Sequence, residues 1–232
     1  MIQNDSKSQI LYQILNAAFC VIVVISNIIS AKFFDLPFVE FSIPAGLITY
    51  PLTFLISDLV TEIYGATKAK LMVYTAFAMS ILGYLIIQLA LQLPSRDIEN
   101  QFLFQSVLGL NGLIISASLI AYLLSQILDI YLYARIKRRT GDRLLWLRNN
   151  GSTLASQIVD TLTVNIIHLY CGLGIEFSIV IKIMAFSYAY KAFFSIMNTP
   201  LFYLGVFLAK TNWSWIKQKI SSYNYHKLET TV

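Results

Sequence analysis

The chain has 232 residues, 57% of them hydrophobic and only 12% charged, with a net charge of +5. A soluble domain carries about twice that charged share, so the composition excludes one and indicates a membrane protein with several spans in a single domain. The basic excess sits mostly in polar connections, as membrane topology requires, so direct nucleic-acid binding is not expected.

Residues 1–10 form a polar tail, and no cleavage pattern follows the first apolar run, so no leader is expected. The first span covers about 11–29, with Asn16, Cys20 and Asn27 near one helical stripe. In the connector 31–42, Phe alternates with polar residues, a hairpin signal that Pro37 weakens. The second span, 43–65, has 23 residues, enough at about 1.5 Å per residue to cross a hydrocarbon core of about 30 Å. It carries Asp58 and Glu62, four apart and so on one face, behind Pro44 and Pro51, which predict a kink. No Lys or Arg occurs between Lys32 and Lys68, so neither acid has a local basic partner. A carboxylate in a span normally faces a protein interior or a watery cavity. The competing reading is structural: ion pairs with Arg135, Arg138 or Lys68 that fix helix ends.

The third span, 71–93, is uncharged and reads as lipid-facing scaffold, and residues 98–111 as a short interfacial helix. In the fourth span, 112–134, Ser118, Tyr122, Gln126, Asp129 and Tyr133 form a polar stripe. The basic loop that follows, 135–148, contains Leu144, Leu145 and Trp146, which suggest a helix on the membrane surface. Residues 149–152 are expected to break it and to cap a fifth span at 153–172, with Thr153, Gln157, Asp160, Thr161 and His168 on its stripe and Asn165 four beyond Thr161. The last apolar run, 177–209, is one long tilted or kinked helix or two shorter pieces, and holds Lys182, Lys191, Asn198 and Pro200.

The expected fold class is therefore all-α, a polytopic membrane protein of six transmembrane helices with both termini cytoplasmic. Six crossings place thirteen of the seventeen Lys and Arg on one side and two on the other, with two inside the last run. That bias is the positive-inside signature, whereas a seventh crossing would put the basic tail outside. The domain division is a cytoplasmic tail at 1–10, a transporter domain at 11–209 and a basic cytoplasmic tail at 210–232.

One phrase occurs twice. Ser125-Gln126-x-x-Asp129 lies in span four and Ser156-Gln157-x-x-Asp160 in span five. Polar residues of this kind inside apolar helices are costly and point to a site for a hydrogen-bonding solute or a coupling ion. His168 reads more naturally as an interhelix hydrogen-bonding group than as a ligand. Lys191 is deep enough to neutralise an acid, or else snorkels. Asn198 precedes a proline break and can donate to a solute. No phosphate-cradling loop, nucleophile elbow or metal spacing is present, so an enzyme is not expected, nor a cofactor or metal. Cys20 and Cys171 lie in apolar spans and read as small hydrophobes. A pore formed by a homo-oligomer stays open as an alternative.

Several stretches resemble the bacterial queuosine precursor transporter family. They are Ser26-Asn27-Ile28-Ile29-Ser30-Ala31-Lys32, Tyr50-Pro51-Leu52-Thr53-Phe54 and Ser57-Asp58-Leu59-Val60-Thr61-Glu62-Ile63-Tyr64-Gly65, then the two Ser-Gln-x-x-Asp phrases and Trp146-Leu147-Arg148-Asn149. The resemblance implies a six-span inner-membrane importer of 7-cyano-7-deazaguanine, its aminomethyl relative or queuine, for tRNA modification. The family is grouped with vitamin uptake carriers, so a vitamin carrier, or the substrate subunit of an ATP-driven vitamin importer, is the alternative. The residues suit a deazaguanine. A carboxylate accepts from its ring N–H and exocyclic amine, an amide donates to its carbonyl, and Phe54 or Tyr122 can stack on the ring. Asp129 or Asp160 with Gln126 or Gln157 is the expected clamp, with Asn27, Asp58, Glu62, His168, Lys191 and Asn198 as further candidates for binding or coupling.

Overall fold

The computed structural model describes residues 6–35, 42–109, 112–141 and 143–229. Helix α1 (Ser6–Ile29) leads to a hairpin of two short strands, β1 (Phe33–Phe34) and β2 (Ile43–Pro44), paired antiparallel with Phe33 opposite Pro44. A 3-10 turn (Ala45–Thr49) opens α2 (Tyr50–Tyr64), and α3 (Ala66–Gln92) and the short α4 (Ile98–Leu108) follow. Then come α5 (Gly112–Thr140), α6 (Leu145–Val164) with a π-helical extension (Asn165–Gly172), and α7 (Phe177–Glu229). Among the described residues, five stretches are long and apolar enough to cross a membrane: Ser8–Ile29, Ala45–Tyr64, Ala66–Gln92, Ile115–Thr140 and Phe177–Ala209. The hairpin forms despite Pro37, which itself lies outside the described residues.

The prolines of the second span open its helices and do not kink them. Pro44 precedes the 3-10 turn and Pro51 falls in the first turn of α2, where a missing N–H costs nothing. The turn is pressed onto α1: a Cβ on Gly46 would lie 1.9 Å from Ser30 Oγ, so only glycine fits, and Thr49 Oγ1 donates to Ser26 Oγ at 2.7 Å. Helix α3 behaves as a scaffold. It buries Ala69, Met72, Val73 and Ala76 against Phe19 and Val23 of α1, Val60 of α2 and Ile130 of α5. Its Leu82, Leu85, Ile86 and Leu89 stay exposed, as a lipid-facing side requires.

The expected break at 149–152 and the surface helix before it need correction. Helix α6 starts at Leu145, so residues 149–152 lie inside it, and no separate surface helix precedes the fifth span. Asn, Gly and Ser in sequence suggested a break because such side chains compete for the backbone. Here they are spent on packing: Asn149, Asn150 and Ser152 are buried, and Asn150 Nδ2 donates to Thr199 Oγ1 at 2.9 Å. The turn before α6 falls instead at Gly141 and Leu144, both at positive φ. The last run is one helix that passes through Pro200 and continues along the basic segment to Glu229. In an apolar helix the backbone groups freed by proline can be satisfied by neighbours.

Candidate functional site

Helices α2, α6 and α7 meet around a narrow cleft whose closed interior has room for about one water molecule. Each helix contributes one face at helical spacing. From α2 come Tyr50, Phe54 and Asp58; from α6, Asn149, Thr153 and Gln157; from α7, Lys191, Ser195 and Asn198. The rings of Tyr50 and Phe54 stack at 5.8 Å, and Asn198 Nδ2 donates to the carbonyl of Pro51 at 2.8 Å. Lys191 Nζ lies 4.1 Å from the centroid of the Tyr50 ring and 2.5 Å from Asp160 Oδ2. An ammonium held between a carboxylate and an aromatic face is neutralised without leaving the interior.

The two Ser-Gln-x-x-Asp phrases meet each other. Ser125 Oγ donates to Asp160 Oδ1 at 3.4 Å, and Ser156 Oγ donates to Asp129 Oδ1 at 3.2 Å. Each serine serves the other phrase's aspartate, the reciprocal pattern that two antiparallel copies of one motif make about a local two-fold axis. Asp58 joins them: Thr153 Oγ1 donates to its Oδ2 at 3.3 Å. Among the described residues, Asp58 Oδ1, Gln126 Oε1, Asp129 Oδ2 and Gln157 Oε1 are buried acceptors with no donor.

Glu62 has a different role. Its carboxylate takes Arg148 Nη2 at 2.8 Å, Lys137 Nζ at 2.9 Å and the Tyr133 hydroxyl at 2.9 Å. The partners weighed from sequence, Arg135, Arg138 and Lys68, are not the ones it uses. Arg135 reaches Tyr131 and Lys68 lies over the Tyr12 ring. Lys137 stands four residues after Tyr133 and so shares the inward face of α5, which Arg135 does not. This cluster ties α2 to the α5–α6 turn, since Arg148 Nη1 also donates to the Gly141 carbonyl at 2.7 Å. Removing one partner leaves a buried charge uncompensated, so Glu62→Gln is expected to destabilise the purified protein by about 3–5 kcal/mol. Thermal unfolding in detergent checks this, and an unchanged midpoint contradicts it.

Of the residues singled out from sequence, Phe54, Asp58, Gln157, Lys191 and Asn198 line the cleft. Gln126, Asp129 and Asp160 are buried behind it, and Glu62 sits in the ionic cluster. Tyr122 donates its hydroxyl to the Val73 carbonyl at 3.3 Å and is committed to α3. His168 is in the π-helical extension and Asn27 on α1, and neither lines the cleft. Thr153, on the expected stripe of the fifth span, lines the cleft as well, and the residues missed were Tyr50, Asn149, Tyr190 and Ser195. The spacing of Asn149, Thr153 and Gln157 by four was the available signal, hidden by the expected break.

Apolar helices that bury acids, amides and a lysine around an aromatic cleft define a multi-pass membrane protein with a polar interior. Residues 44–205, more than half of the chain, match the family described as putative vitamin uptake transporter. The chain belongs to that family. It is 36% identical over 119 residues to the probable queuosine precursor transporter of Bacillus subtilis (strain 168), covering 50% of this chain and 52% of the relative. It is 32% identical over 126 residues to the queuosine precursor transporter of Escherichia coli (strain K12), covering 50% of this chain and 51% of the relative. The chain thus spans about half the length of the curated relatives it matches. No solved structure matches it.

Proposed function

We propose that this chain imports queuosine precursors, flat 7-deazaguanine bases, across the bacterial inner membrane. The observation that carries the proposal is the cleft itself: stacked Tyr50 and Phe54 beside buried acceptors, Asp58 Oδ1 and Gln157 Oε1, that no protein donor serves. A deazaguanine offers N–H donors on one edge, a carbonyl next to them and a planar face. The donors suit Asp58 and Gln157, the carbonyl suits Lys191 or an amide N–H, and the face suits the aromatic pair. The names of the two relatives support this substrate class. The family's description favours a vitamin as the second reading. Uptake of labelled 7-cyano-7-deazaguanine and of vitamins by liposomes containing this chain alone separates the two. Uptake that appears only with an added ATPase complex would contradict a self-sufficient carrier.

The proposed topology has six crossings, with α6 and its π-helical extension as the fifth and both termini cytoplasmic. Its support is the basic bias together with the burial of α6, whose polar residues make it too hydrophilic to read as a span unaided. An impermeant thiol reagent outside intact cells is expected not to label Arg143→Cys, and labelling there overturns this topology.

A further inference from the structure

We infer that Asp58 and Asp129 form a proton-binding pair that couples uptake of the base to proton entry. The inference rests on the import reading and adds its driving ion. Both side chains are buried, at 2% and 0% exposure, and their carboxyl groups sit against the same turn of α6, held by the hydroxyls of Thr153 and Ser156, three residues apart. One oxygen of each takes a hydroxyl, from Thr153 and Ser156, while Asp58 Oδ1 and Asp129 Oδ2 have no donor. Two carboxylates in that position repel, whereas one shared proton turns the repulsion into an O–H···O bond.

The neighbouring charges lead to the same ion. Among the described residues four acids are buried here, Asp58, Glu62, Asp129 and Asp160, and the cations facing them are Lys137, Arg148 and Lys191. Lys137 and Arg148 are held by Glu62, and Lys191 by Asp160. Tyr133 stays neutral and donates a hydrogen bond to Glu62. From α3 the only charged groups are Lys68 and Lys70, neither of which pairs with an acid among the described residues. From α1, Tyr12 donates to the Lys68 carbonyl and Cys20 contacts Asn16. Four acids against three cations leave one negative charge, and one proton cancels it. A bound sodium ion would cancel it too, and the sodium-gradient arm of the test below separates the two.

Asp58 touches both sites. It lines the cleft, and each of its oxygens can accept two hydrogen bonds. With the proton on Asp129 and donated to Asp58, the latter still accepts an N–H of the base. Base and proton are then held together, the arrangement of a symporter. The only bond made and broken is one carboxyl O–H: the proton comes from the outer solution, binds the pair, and leaves to the inner one.

The test uses the full chain in sealed liposomes with labelled 7-cyano-7-deazaguanine. Acid outside should raise accumulation by about tenfold per pH unit for one proton per base. Asp129→Asn should lose that response and Asp129→Glu should restore it. Uptake that follows a sodium gradient, or ignores the pH gradient, overturns the inference. Absence of all uptake by the unsubstituted chain overturns the import reading instead, and infrared spectroscopy of the purified protein then decides on the pair. A protonated-carboxyl C=O band at neutral pH, kept in Glu62→Gln and lost in the Asp58→Asn/Asp129→Asn double variant, supports it. Absence of that band at neutral pH overturns it.

Discussion

Lys191→Met is expected to reduce precursor uptake by about 100-fold or more while the protein still reaches the membrane. The substitution keeps most of the stem's apolar volume but removes the ammonium between Asp160 and the Tyr50 ring. Asp160 is then left as a buried, unpaired carboxylate, and losing one partner of such a pair costs about 2–5 kcal/mol or more. At about 1.4 kcal/mol per factor of ten, a 100-fold loss corresponds to about 2.8 kcal/mol, inside that range but above its low end. The cleft also loses its one charged donor. A double-mutant cycle separates the two contributions. Asp160→Asn and Lys191→Met should each lower the unfolding midpoint, and the double variant should recover much of that stability because no unpaired charge remains. It should not recover uptake. Restored transport in the double variant would mean that Lys191 serves only to neutralise Asp160.

Phe54→Ala is expected to raise the precursor concentration for half-maximal uptake by about 5–150-fold, with less effect on the maximal rate. The ring lines the cleft and stacks on Tyr50, and base–aromatic stacking contributes about 1–3 kcal/mol per base. A π-face is what matters, so Phe54→Trp or Phe54→Tyr should retain most of the affinity. Glu62→Gln offers the contrast: it should lower the amount of folded protein without changing the affinity of what remains. Equal half-saturation in Phe54→Ala and the unsubstituted chain would place the base elsewhere.

Much of this arrangement can be read from the residues, for physical reasons that differ by element. Spans such as α1 and α3 are legible because lipid contact demands unbroken apolar length. Helix α6 is legible only from 153 onward. Its first two turns carry Arg148, Asn149, Asn150 and Ser152, which read as a turn until their partners on α2, α5 and α7 are known. The repeated Ser-Gln-x-x-Asp is visible as text, but the serine of one copy reaching the aspartate of the other depends on how α5 packs against α6. Long-range pairs are the least legible. Glu62 lies 86 residues from Arg148, and nearer or equally basic residues were as eligible on sequence. Tyr50 was within a quoted motif, yet its place under Lys191 depends on the distant α7.

The central claim is that this chain brings queuosine precursors into the cell. It is tested most directly in bacteria that cannot make queuosine and lack their own importer, supplied with suitable salvage enzymes. The chain is expressed, 7-cyano-7-deazaguanine, its aminomethyl relative or queuine is added singly at low external concentration, and queuosine in tRNA is measured. The account predicts modified tRNA with at least one of the three, and none in cells carrying Lys191→Met at equal membrane abundance. Unmodified tRNA with all three, although the chain is in the membrane, would contradict it and make a vitamin the leading substrate.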